Sequence, residues 1–352
     1  MRIILALIFL SSGIIALAQE QDFSITGLID KGIAYKVHLR YSKDTETALG
    51  VDVNETSDII NGKFFFHGSI TRPVQAYLVL DGLSSHASFY LDTGNITITA
   101  SVDRENKLME SVNKIEITDV QGSVSDSLQR DYISKRNKIF ESNLDDSVIV
   151  KNLALLIEQF VSNYPDHNLS SQILQESFQL TYKQAKSIYD NLSPWQQQNA
   201  TRNHITEALE RAKQLDKLYP FISLPDTAGN LVNGKSPNMK YLLLNFVASY
   251  CDDCGRHNAD LLKLYKQYSK KGFEILGVSI EFEFTKPEWI HNLNRLKLPW
   301  PQVNDLNGNE ISSYFKVPHV PFVILVDNTG KILSVNPGKE RLKKQIEKLM
   351  NF

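Results

Sequence analysis

Two cysteines in 352 residues are too few to staple a fold. They stand three positions apart, at Cys251 and Cys254, so a bridge between them closes a loop too short to constrain much chain entropy. The pair therefore points to chemistry, not scaffolding. A charge surplus is also missing: 38 Lys and Arg against 40 Asp and Glu leave a formal net charge of −2, and no basic block is interleaved with aromatics. That lacks the electrostatic footprint of a nucleic-acid binder, and no nucleic-acid partner is expected. No apolar run reaches the roughly 20 residues of a membrane span. The nearest approach, MRIILALIFLSSGIIALA at residues 1–18, carries Arg2 at its start, is interrupted by Ser11, Ser12 and Gly13, and ends in Ala16-Leu17-Ala18. This is the pattern of a secretory signal peptide cleaved before Gln19. It predicts a mature chain in the periplasm or cell envelope, with no stable membrane insertion and, since no cysteine lies near the cleavage position, no lipid anchor.

What is present is an ordinary core-forming composition, 42% hydrophobic and 22% charged, with room for two or three domains. Residues 22–120 read as a β-rich N-terminal domain. FSITGLI, KVHLRY, NGKFFFHGSI, QAYLVLDG, SFYLDTGNITITA and KIEITDV alternate apolar and polar residues, and Asn61-Gly62 and Thr93-Gly94-Asn95 supply turns. An antiparallel β-sandwich-like domain or small barrel is expected. Residues 121–218 change to a helical period and form a connector, with Ile149, Leu153, Leu156, Ile157, Phe160 and Val161 on one face and Ile205, Leu209, Ala212 and Leu215 on another. Residues 219–352 change again. YLLLNFVASY is the continuous apolar run of a buried parallel strand, a helical stretch follows from Cys254, and FEILGVSIEF, a second helix, PFVILVD, KILSV and a last helix complete a βαβα–ββα order.

In this third region FVASYCDDC, ILGVSIE, YFKVPHVP followed by FVILVDNTG, and the preceding FISLPDTAGNLV resemble the thioredoxin-like thiol-disulfide oxidoreductases of the bacterial envelope, of the TlpA and ResA type within the AhpC/TSA-like superfamily. The resemblance covers about residues 219–352 and implies an α/β thioredoxin fold. A thiolate attacks a disulfide sulfur and a second thiol resolves the mixed disulfide, so the two cysteines must lie within one helical turn. Cys251, expected at the helix start where free N–H groups and the dipole favour a negative sulfur, is the candidate nucleophile, and Cys254 the buried resolving thiol. The resemblance makes Pro321 a cis-proline facing the pair, with Val320 offering backbone groups to an extended substrate and Tyr250 an aromatic wall where the family often has Trp. It implies no cofactor beyond the redox-active disulfide. The implied partners are client protein disulfides or dithiols and an unidentified electron-donor thiol protein.

Three departures from the family pattern follow. Tyr250 replaces the common Trp, Asn245 stands where thioredoxins keep a buried acid, and Ala259 replaces a helix-kinking proline. Glu281, at the end of ILGVSIE, is the candidate replacement base, the alternative being a solvated carboxylate. Asp252 and Asp253 complement the helix dipole but oppose a thiolate at Cys251, by roughly 1 kcal/mol each at a separation of about 7 Å. Disfavouring the thiolate makes the dithiol a better reductant, so these two residues are read as pKa-tuning and the chain as a reductant.

Three rival readings follow from the same residues. Cys251, Cys254 and His319 form a soft donor set for copper, as in the Sco-type proteins of this fold, although those keep one more residue between the cysteines and lack the proline. His257 is a weaker ligand candidate, more simply a solvated helix residue. A peroxidase of the peroxiredoxin group needs threonine three residues before its cysteine, where this chain has Ala248. Finally, the chain is a binding module if its thioredoxin fold is inactive.

Overall fold

The computed structural model describes residues 20–30, 36–43, 51–82, 85–104, 113–142, 144, 146–199, 204–251 and 253–351. The predicted signal peptide, residues 1–18, and Asp252 lie outside them. The chain divides into two compact units, residues 1–130 and 131–352.

Among the described residues the first unit holds eight strands: β1 Gln21–Ile29, β2 Lys36–Lys43, β3 Val51–Asp58, β4 Lys63–Ile70, β5 Val74–Leu80, β6 His86–Leu91, β7 Gly94–Arg104 and β8 Asn113–Gln121. They form two four-stranded sheets, ordered β4-β1-β7-β8 and β3-β2-β5-β6. Alternation gives each strand one buried face, and Ile25, Phe64, Ile96 and Ile98 of one sheet share a single core with Val37, Leu39, Leu78 and Phe89 of the other. This is the expected sandwich, with one departure from antiparallel order: β1 and β7 run parallel. Asn61 (φ 54°) and Gly62 (φ 80°) make the tight turn from β3 to β4. The strand VDVNETSD, unread in the sequence, is an edge strand on β2. Helix α1, Val124–Glu141, is fastened to the end of β6 by buried Asp92, which accepts hydrogen bonds from Ser123 Oγ (2.8 Å), Ser125 N (2.7 Å) and Ser125 Oγ (2.6 Å).

The second unit opens with α2 Asp146–Asn163, α3 Asn168–Gln175, α4 Tyr182–Asp190, α5 Pro194–Gln198 and α6 Ile205–Leu215. Thr181 starts α4 with a reciprocal capping box to Gln184. A hairpin, β9 Leu224–Pro225 and β10 Leu231–Val232, leads to β11 Tyr241–Val247, α7 Cys254–Tyr268, β12 Phe273–Glu281, α8 Lys286–Leu296, β13 Gln302–Leu306, α9 Ile311–Phe315, β14 Phe322–Asp327, β15 Ile332–Val335 and α10 Lys339–Met350. The five-stranded sheet has the order β13-β12-β11-β14-β15. β11 pairs parallel with β12 and antiparallel with β14, β12 is parallel to β13, and β15 returns antiparallel to β14.

Central β11 is buried at every residue from Leu242 to Val247 because helices cover both faces of the sheet. One face packs Leu242, Leu244 and Phe246 with Leu276, Phe315 and Phe322, and the other packs Leu243 with Leu261, Ile275 and Leu342. The helical connector belongs to this unit and is not a spacer. Arg211 of α6, 3% exposed, donates to Lys316 O (3.1 Å) and Gln175 O (2.6 Å), and its guanidinium stacks 4.8 Å from the Phe178 ring. Among the described residues no helix is long and apolar enough to cross a membrane.

Candidate active site

The carboxyl end of β11 delivers Ala248, Ser249, Tyr250 and Cys251 to one edge of the sheet, where open α/β sheets place their sites. Cys251 and Cys254 form a disulfide. Cys254 is buried (4% exposed) and Cys251 is only half-buried, so one sulfur faces incoming molecules and the other does not. The helix starts later than the sequence suggested. Cys254 is its first residue, Asp253 is the N-cap, and Cys251 lies in the turn before, held by Cys251 N to Ala248 O (3.3 Å) and Cys254 N to Cys251 O (3.2 Å). The nucleophile candidate thus sits ahead of the helix N-terminus instead of within it. Asp253 makes no side-chain cap; its exposed carboxylate lies 3.8 Å from Arg256 Nη1, a partner the sequence reading left out. Its charge is shared with a neighbouring cation and with water, which weakens its field at Cys251.

The Val320–Pro321 peptide bond is cis. β14 begins at Phe322, so Val320 stands just outside the ladder that pairs β14 with β11. Pro321 lines one groove of about 650 Å³ together with Asp253 of the cysteine motif, His257 and Lys339. A second cavity of about 290 Å³ touches Cys251 and Cys254 themselves and is walled by Ser279, Trp289 and Asn292.

Glu281 differs from both roles foreseen for it. It is 0% exposed, so it is no solvated carboxylate. Its Oε1 accepts from Ser249 N (2.7 Å) and Ser279 Oγ (2.6 Å), and its Oε2 from Ser249 Oγ (2.7 Å) and Thr285 Oγ1 (2.7 Å). A carboxylate offers about four lone-pair sites, and all four are taken, leaving none for a cysteine thiol. The residue expected as a base is instead a clamp between two loops, the one carrying Tyr250 and Cys251 and the one from Phe282 to Thr285.

His257 also departs from expectation. It is half-buried, not solvated, and its Nε2 lies 2.9 Å from Asn245 Oδ1, while Asn245 Nδ2 donates to Asn258 Oδ1 (2.9 Å). Asn245 accepts at that oxygen, so Nε2 carries the proton and Nδ1 keeps its lone pair. Burial lowers the pKa of the ring against the weaker pull of Asp260, which favours the neutral form. The place of the thioredoxin buried acid is therefore held by an Asn245–His257–Asn258 network with no carboxylate in it.

The copper donor set does not assemble. The His319 ring packs edge-on against Phe178 (5.8 Å) and Phe322 (5.6 Å), and among the described residues no group of three or more His, Cys, Asp or Glu is placed to hold a metal. Sequence reasoning missed two groups beside the site. Phe282 and Phe284 are exposed, and Phe282 stacks on both Phe284 and Tyr250; their signal was the apolar alternation of IEFEFT running past the strand end. Arg211 and Phe178 support the Lys316–Phe322 segment from the connector, and no local pattern marks them.

Residues 238–332 match a family model described as thioredoxin-like, and residues 23–128 match one described as a domain of unknown function, DUF4369. Among curated proteins, the chain is 33% identical over 116 residues to the thiol-disulfide oxidoreductase ResA of Halalkalibacterium halodurans, covering 33% of this chain and 64% of that protein. It is 26% identical over 141 residues to ResA of Bacillus thuringiensis, covering 40% of this chain and 79% of the relative. Similar solved structures include a thiol-disulfide oxidoreductase from Bacteroides fragilis, 33% identical, covering 38% of this chain and 99% of that one with a TM-score of 0.35. The C-terminal domain of a Bacteroides thetaiotaomicron thiol-disulfide oxidoreductase, also 33% identical, covers 38% and 95% at the same TM-score.

Proposed function

We propose that this chain, which carries a thioredoxin-like domain homologous to thiol-disulfide oxidoreductases behind a β-rich DUF4369 domain, is a reductant of protein disulfides outside the cytoplasm. The observation that carries the redox reading is the asymmetric Cys251–Cys254 pair, one sulfur half-exposed and one buried, at the β11–α7 junction, with cis-Pro321 sharing a groove with Asp253 of the same motif. In the reduced protein Cys251 Sγ, as thiolate, attacks one sulfur of a client disulfide. A mixed disulfide forms, and the client's other sulfur leaves as thiolate and takes a proton. Cys254 Sγ then attacks Cys251 Sγ and releases the second client thiol, leaving the Cys251–Cys254 disulfide found in this structure. Two electrons pass from the pair to the client, and an electron-donor dithiol protein returns them.

The reducing direction rests on the acidic residues beside Cys251, which oppose negative charge on the attacking sulfur. The extracytoplasmic location rests on the Arg2, apolar run and Ala16-Leu17-Ala18 pattern of the first eighteen residues. Equilibration in thiol-disulfide buffers of graded potential tests the direction. A midpoint in the thioredoxin range, about −270 mV, is expected, whereas one near the strongly oxidising end, about −120 mV, overturns it.

A further inference from the structure

We propose that Tyr250, Phe282 and Phe284 form an aromatic docking ladder for an extended client segment that carries a bulky apolar side chain next to its cysteine. The proposal rests on the thiol-disulfide reading and assigns that site its client selectivity. The three rings are 53%, 41% and 81% exposed, yet they are ordered against one another. Tyr250 stacks on Phe282 at 6.1 Å between centroids and 23° between planes, and Phe282 on Phe284 at 5.4 Å and 2°. Three contiguous wet aromatics are an unusual surface for a protein to keep unless something covers them.

The ladder is built into the site. Its first rung is the residue before Cys251. Glu281 is buried, and three of its four hydrogen bonds hold Ser249, which precedes Tyr250, and Thr285, which follows Phe284. Thr285 Oγ1 also accepts from Phe282 N at 2.9 Å. Both ends of the aromatic surface are thus tied to one carboxylate, so the rings are positioned before any client arrives and little side-chain freedom remains to be lost on contact.

Continuity with the redox pair fixes the occupant. A sulfur that reaches Cys251 Sγ belongs to a polypeptide that lies across the neighbouring residues, and Tyr250 is the first of these. An apolar side chain flanking the client cysteine covers the ladder and removes its surface from water, at about 25 cal/mol per Å². A polar or glycine-flanked cysteine gains none of this.

The test compares two peptide disulfides identical except that Phe or Ser adjoins each cysteine, with hydroxyethyl disulfide as a small substrate for the full-length protein. The expected kcat/KM ratio, Phe-flanked over Ser-flanked, is about tenfold, matching one good aromatic contact, and resides in KM. In Phe284→Ser and in Phe282→Ser the ratio, measured within each variant, falls toward one. A wild-type ratio of one, or a ratio that survives both substitutions, overturns the proposal. So does concentration-dependent dimerisation or binding to phosphatidylglycerol vesicles that is lost in Phe284→Ser without any change in the ratio, since either assigns the ladder to another occupant. Absence of turnover with all three substrates removes the redox reading itself, and the proposal with it.

Discussion

At the scale of single residues, the place expected for a buried acid holds neutral hydrogen bonding among Asn245, His257 and Asn258, while Glu281 is buried with all its donors supplied by neighbouring segments. His257 shows the consequence for pH. Its ring is tied to Asn245 and its pKa lies below the ordinary 6.5 because burial penalises the imidazolium. When the folded value is the lower one, the unfolded chain binds the proton first, so stability is full above about 6.5 and declines as pH falls toward the folded value. The groove it lines also holds Asp253, Arg256, Asp260, Lys263 and Lys339, but Asp260 is kept below its ordinary 3.8 by Lys339 and titrates outside this window. His319, also lowered, adds in the same direction. Thermal melts at pH 7.5 and 5.5 should therefore show a drop for the wild type that is smaller in His257→Gln, whose amide can still donate to Asn245. An equal or larger drop in the variant would refute this account. Some of the surroundings foreseen from the sequence differ in the fold. Glu281 was legible as a carboxylate at the cysteine edge, but its four donors come from Ser249, Ser279 and Thr285 on separate segments, and no local pattern announces a clamp of that kind.

At the scale of elements, periodicity revealed what lies in the core and hid what lies at the edges. β11 is apolar throughout because both its faces are covered, and it could be read directly. β3 and β13 end their sheets and both look like loops in sequence: VDVNETSD because an edge strand with a partly solvated face tolerates polar residues, and QVNDL because its buried Asp305 is matched by Glu310 N and Ser312 N from the following segment. The connector helices were visible as amphipathic stripes, but their target was not, because docking depends on Arg211 reaching the carbonyls of Gln175 and Lys316 across long sequence separations. That anchor can be tested. Arg211→Met keeps much of the side-chain volume and removes two charge-assisted hydrogen bonds, so a loss on the order of 2 kcal/mol is expected, read as a fall of roughly 5 °C in the melting of the second unit. Arg211→Lys should recover little of it, since an ammonium does not reproduce the planar fork or its stacking on Phe178. A variant that melts with the wild type would show that α6 docks through its apolar face alone.

At the scale of the molecule, the two units have cores of their own, one centred on Ile25, Leu39 and Phe64 and the other on Leu244, Phe246 and Phe322. Calorimetry should resolve two transitions, and the redox pair belongs to only one of them. This separation gives the proposed direction of electron flow a second test that needs no redox buffer. Folding and disulfide formation are linked through a closed cycle. If the folded dithiol is a stronger reductant than the unfolded pair, the disulfide must stabilise the fold, by about 1.4 kcal/mol for each 30 mV between the two potentials. In a strong oxidant the sign reverses, because the reduced fold is the one stabilised. On the proposed reading, Asp252 and Asp253 disfavour the thiolate that would drive such a reversal. Adding a thiol reductant should therefore lower the transition of residues 131–352 and leave that of residues 1–130 in place. A second-unit transition that moves upward on reduction would mean that the fold favours the dithiol, and the chain would then be placed among disulfide-forming proteins.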